Sequence, residues 1–140
     1  MPPRRPAPER YNAFISQIDL RDVWIASARI ANNVGPKHFE DPSLEIKSST
    51  AHEVTPSGFK ALQTYALSIR DGTTAVGEIE VTFAVEYSSK KKLTESLFSV
   101  FQELNLPLNT WPYLRAFVGD AFGRMGWVPL TLPAFKAGDS

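Results

Sequence analysis

Over the first two thirds of the chain, apolar and polar residues alternate with a period of two, the mark of strands with one packed face. Phe14, Ile18 and Leu20 share one parity, and Val23 and Ile25 take the other. A one-residue change of phase predicts a bulge or bend near Arg21-Asp22. Residues 31–42 hold Asn32-Asn33, Gly35-Pro36 and Asp41-Pro42 and read as a loop. Leu44 and Ile46 then alternate with Glu45 and Lys47, a second strand whose thin apolar face fades into Ser48 and Thr50. Thr55-Pro56-Ser57-Gly58 reads as a turn. A third run, residues 61–70, carries Tyr65, Leu67 and Ile69 on one side and leads into Asp71-Gly72, a short-range hairpin signal. In the returning strand Ile79, Val81, Phe83, Val85 and Tyr87 alternate with Glu78, Glu80, Thr82, Ala84 and Glu86, which predicts an antiparallel sheet with one wet face.

After Lys90-Lys91-Lys92 the period becomes helical. Leu93, Leu97, Val100, Phe101 and Leu104 form one stripe, which Asn105-Leu106-Pro107 is expected to end. A second helix is expected from Thr110 as cap, with Pro112 in its first turn. Leu114, Phe117, Val118, Ala121, Phe122 and Met125 are its apolar face, and Gly126 suits its C-terminal cap. Residues 128–133 read as an extended apolar tail. The fold class is α+β: a four-stranded antiparallel sheet followed by a long C-terminal helical region.

A chain of 140 residues has room for one core. Four prolines in residues 1–10 predict a disordered arm, leaving residues 11–140 as a single domain. Arg4-Arg5 precedes no apolar stretch, so no secretory signal is expected. No segment has the roughly 18 continuous apolar residues of a membrane span. A soluble, cytoplasmic protein without membrane insertion is the expectation.

Formal net charge is zero, so charge makes no case for nucleic acid as a partner. The absence of cysteine removes disulfides, thiolate metal sites and a cysteine nucleophile. His38 and His52 lack companion ligands at metal spacing and read as solvated loop residues. Glu78, Glu80 and Glu86 share one parity, the usual solvent face of a strand rather than an acid/base set. No nucleophile elbow or phosphate loop is present. Lys90-Lys91-Lys92 reads as a solvated turn, since it would oppose the dipole of the helix it precedes. No catalytic residue, metal or cofactor is expected. Most of the aromatic residues fit a core. Trp24, opposite in parity to Val23 and Ile25, and the pair Leu44 and Ile46 fit either a core or an exposed groove, and the pattern leaves both readings open.

The segment 106–133 resembles the C-terminal signature of SecB-family export chaperones. Its aromatic-Pro-Tyr-x-Arg start is Trp111-Pro112-Tyr113-Leu114-Arg115, and its end is Arg124, Gly126, Trp127, Pro129, Leu130, Leu132 and Pro133. Arg21-Asp22-Val23 and Leu44-Glu45-Ile46-Lys47 are similar to the family's first and second strands. The resemblance implies a dimer of dimers that holds unfolded client polypeptides in apolar grooves, without ATP or any cofactor. It implies a client-binding groove at Leu44 and Ile46, with Trp24 a further candidate, and contacts for the SecA motor at Asp22 and Glu78. Ser48 stands where the family has a third apolar groove position, Ala26 where it has a glutamate, and Met125 where it has a glycine. SecA-delivering members are strongly acidic, whereas other SecB-like proteins serve the antitoxin of a toxin–antitoxin system, the alternative role. A small enzyme or ligand-binding domain and a purely structural oligomer subunit are the readings from other classes.

Overall fold

The structure, a computed structural model, describes residues 5–128. Part of the arm expected at residues 1–10, and the signature residues Pro129 to Pro133, lie outside the described residues. The chain opens with α1 (Pro8–Ile15) and continues into β1 (Ile18–Asn32). Residues 8–10, expected in the arm, form the first turn of α1, and Phe14, expected on a strand, is helical. Pro8 suits a helix start, where no N–H is needed. Tyr11 and Phe14, one turn apart, are both buried and hold the helix down.

Four long strands follow the predicted order: β1, then β3 (Pro42–Thr55), β4 (Gly58–Asp71) and β5 (Thr74–Ser89), with the short β2 (Lys37–His38) between β1 and β3. They form one antiparallel sheet in the order β1-β5-β4-β3. The change of phase near Arg21 is a register shift between Leu20 and Asp22, and a second shift lies between Ile25 and Ser27. The first shift lets Leu20, Val23 and Ile25 all face the same way, opposite Tyr87, Val85 and Phe83. Gly72, at φ 61°, turns the β4–β5 hairpin as Asp71-Gly72 predicts. The core fills one side of the sheet, with Phe59, Tyr65, Leu67, Ile69, Ile79, Val81 and Tyr87 buried on it. The other side carries Glu78, Glu80, Glu86, Lys60 and Thr64, the wet face expected of β5.

Helices α2 (Glu95–Phe101) and α3 (Asn105–Arg124) cover the packed side. Thr94 caps α2, its Oγ1 accepting from the Leu97 N–H at 3.2 Å. The expected break at Asn105-Leu106-Pro107 is instead the first turn of α3, where the missing N–H of Pro107 has no intrahelical acceptor to lose. Thr110 is therefore an interior residue, fully buried, and not a cap. Gly126, at φ 76°, closes α3 as expected.

The chain then forms β6 (Trp127–Val128), which pairs parallel with β2. Trp127 Nε1 donates to the Gly35 carbonyl at 3.0 Å. Its ring lies so close to Gly77 that a Cβ there would stand 2.5 Å from Cη2. Asp71 ties down the other end of the segment before β3. Its carboxylate accepts from the N–H of Asp41 at 2.7 Å and of Glu40 at 3.2 Å, and pairs with Lys37 Nζ at 3.1 Å. The Asp41 bond, then Lys37, holds this carboxyl below its ordinary range.

Candidate functional site

Helix α3 lies over the two central strands. Leu106, Thr110, Leu114, Val118 and Phe122 are buried along it, each about one turn after the last. Among the described residues, both edges of the packed side keep apolar side chains partly exposed. At the β1 edge Leu20, Ile25 and Ile30 keep 47%, 46% and 46% of their surface. At the β3 edge Leu44 and Ile46 are half-buried, opposite Ile69 and Leu67 and packed against the core.

The β3 edge is the candidate groove. Register places Leu44, Ile46, Ser48 and Thr50 in one row on the packed side, about 7 Å apart from one to the next. Trp111 of α3 forms the facing wall: its ring meets Tyr65 edge-on at 5.8 Å, and Tyr65 is the register partner of Ser48. Further along the floor, Thr50 Oγ1 donates to Gln63 Oε1 at 2.7 Å. Gln63 is one of two buried polar or charged residues among those described, and only 2% of it is exposed.

Three tyrosines hold α3, and so the wall, at a fixed height over the sheet. Tyr65 shares a hydrogen bond with Thr110 at 2.7 Å, Tyr87 accepts from Asn109 Nδ2 at 2.8 Å, and Tyr11 donates to Asn105 Oδ1. Burial raises the pKa of Tyr65 and Tyr11, and pushes Tyr87 up to about 12, so all three hydroxyls stay protonated.

The structure joins some of the sequence candidates and separates others. Leu44 and Ile46 lie side by side on the packed side of β3. Trp24 does not join them: it is paired with Ala84, on the wet side of the sheet, and its strand is the opposite edge, about 14 Å away across three strand spacings. The physical reason is the bulge, which leaves Val23 and Ile25 facing the core and turns Trp24 out between them. Asp22, opposite Glu86, and Glu78, opposite Ala31, share the wet side with Trp24 but stand roughly 27 Å apart along the strands. Of the signature residues, Trp111 reaches the groove, Tyr113 reaches Phe83 at 6.4 Å on the β1 side, and Pro112 and Arg115 are exposed. The role of Trp111 as groove wall is legible only once register pairs Tyr65 with Ser48. His38 and His52 are exposed but lie in strands, not loops, and His52 stacks on Phe98 at 3.8 Å.

A cavity of about 600 Å³ lies elsewhere, bounded by Arg5, Pro6, Ala7, Arg10 and Ser96, at the end of the sheet far from Leu44. Arg5 there is already paired with Glu103. Among the described residues no group of three His, Cys, Asp or Glu side chains is placed to hold a metal, and no helix is long and apolar enough to cross a membrane.

This sheet order, with one long helix laid over the packed side, is a SecB-like fold. Among solved structures it is matched by the Mycobacterium tuberculosis SecB-like chaperone Rv1957, in complex with a ChAD peptide from the Rv1956 HigA1 antitoxin. The TM-score is 0.77 and the identity 22%, over 91% of this chain and 97% of that one. No family model matches the chain, and no curated protein matches it.

Proposed function

We propose that this chain is the subunit of an ATP-independent holding chaperone, which binds extended, non-native polypeptide along the β3 groove and catalyses no reaction. The observation that carries the reading is the pair Leu44 and Ile46: two aliphatic side chains on the packed side of an edge strand, beside Trp111, that no helix covers among the described residues. A holder needs such surface stable when empty. At roughly 25 cal/mol per Å² of apolar area removed from water, a few hundred Å² supplies several kcal/mol before ordering costs.

The outer edge of β3 adds backbone groups, unpaired among the described residues, that accept any extended chain. Several grooves in one assembly would add avidity. The β1 edge, with Leu20, Ile25 and Ile30 half-exposed, is the surface this reading gives to a second copy, in a dimer of dimers with one domain per chain. The reading places the protein in the cytoplasm and gives Asp22 and Glu78, on the wet side, to a SecA-type motor in protein export.

A second reading, a chaperone dedicated to one antitoxin, is favoured by two observations. The matched structure holds an antitoxin peptide, and this chain has a net charge of zero. The holding role is tested by light scattering of a chemically denatured client diluted with one assembly equivalent of the protein. Suppressed aggregation is expected; scattering equal to the client alone would refute it. Competition between several unrelated clients for one site would favour general holding over the antitoxin role.

A further inference from the structure

The floor of the groove changes chemistry halfway along. Leu44 and Ile46 are followed, on the same side of β3, by Ser48 and Thr50. The Ser48 hydroxyl is exposed and makes no hydrogen bond among the described residues. Next along the row, Thr50 Oγ1 donates to Gln63 Oε1. Gln63 sits in a core row between Thr50 and Phe83, where a purely apolar site would hold an aliphatic residue. An open hydroxyl two positions from an aliphatic pair makes a divided surface: half takes apolar side chains, half takes a hydrogen-bonding one.

We propose that the groove reads a pattern, and that Ser48 is its specificity-determining residue. The preferred occupant is an extended segment with two aliphatic side chains on one face, two residues apart, and a hydroxyl or carboxamide side chain at the next position on that face. An extended segment matches the row because its same-face repeat is the same as that of β3. A valine in place of the polar residue would leave the Ser48 hydroxyl facing hydrocarbon, and sites that offer hydrogen bonds discriminate against analogues that cannot make them. This selectivity rests on the reading of the groove as a polypeptide site and narrows it to segments of one chemistry.

The test uses fluorescein-labelled ten-residue peptides with Leu-x-Leu-x-Thr on one face, their Thr-to-Val isosteres, and both sets in reversed order, titrated with the full-length protein by anisotropy. In one of the two orders the threonine peptide should bind about fivefold more tightly than its valine isostere. Ser48→Val, at an exposed position with the fold checked by circular dichroism, should abolish or reverse that preference. Equal binding of both isosteres in both orders, with binding lost in Leu44→Asp/Ile46→Asp, would overturn the selectivity and leave the groove standing. A preference that survives Ser48→Val would also overturn it. No binding of any peptide, or binding unchanged by Leu44→Asp/Ile46→Asp, would remove the groove itself.

Discussion

The hydroxyl of Tyr65, on the central strand β4, lies 2.7 Å from the hydroxyl of Thr110, in the interior of α3, and both residues are almost wholly buried. Thr110 donates its proton to the Leu106 carbonyl at 2.9 Å, so it accepts from Tyr65. The contact sets the height of α3 over the sheet one residue before Trp111, and so connects a core hydrogen bond to the wall of the groove.

Removing the acceptor should cost more than removing the donor. Thr110→Val leaves the Tyr65 hydroxyl buried and unpaired, a loss of about 1–3 kcal/mol. Tyr65→Phe leaves Thr110 still bonded to Leu106, and about 0.5–1.5 kcal/mol is expected. Urea unfolding of the two variants measures the order.

Asp71 predicts an acid dependence. Its folded pKa is depressed, so the stability it contributes is present above the unfolded carboxyl value of about 3.9 and is lost as pH falls through the lower folded value. Asp71→Asn should therefore be less stable than the parent at neutral pH, and the gap should close towards pH 2. Melting temperatures of both proteins from pH 7 to pH 2 check the sign. A gap constant with pH would show that the carboxylate charge is irrelevant to the tie between Asp71 and the segment before β3.

Gly77 is held small by a neighbour on each side. A Cβ there would stand 2.5 Å from the Ala31 carbonyl oxygen and 2.5 Å from the Trp127 ring. Gly77→Ala should destabilise the fold by about 1–3 kcal/mol through overpacking and shift the Trp127 emission to the red as the ring is pushed from its bed. Gly119→Ala, with open space around its Cβ, is the control, with no such shift expected.

The strands were legible because each buries one face, so period, parity and the phase change at Arg21 all report on packing. The hairpin at Asp71-Gly72 and the cap at Gly126 were legible because both require positive φ. Helix boundaries were not. Pro107 reads as a terminator, yet a proline in a first turn starts a helix equally well, and Thr110 reads as a cap although Tyr65 draws it into the core. The alternation of Leu44 and Ile46 put them on the packed side of a strand, where they lie. Trp24 was assigned with them because parity gives the side of a strand only after every bulge is placed, and it gives no order of strands across a sheet. Trp111 was missed as a neighbour of the β3 row for the same reason: its place comes from long-range register, which local sequence does not carry.

The β3 groove is tested most directly by the affinity of a labelled, extended, apolar peptide for the parent protein and for Leu44→Asp/Ile46→Asp, with circular dichroism and light scattering on the same samples. Both positions are half-exposed at a sheet edge, so fold and assembly should be retained while affinity falls at least about tenfold, the effect of setting two carboxylates against apolar side chains. A variant that folds, assembles and binds as tightly as the parent would place the binding surface elsewhere and contradict the account.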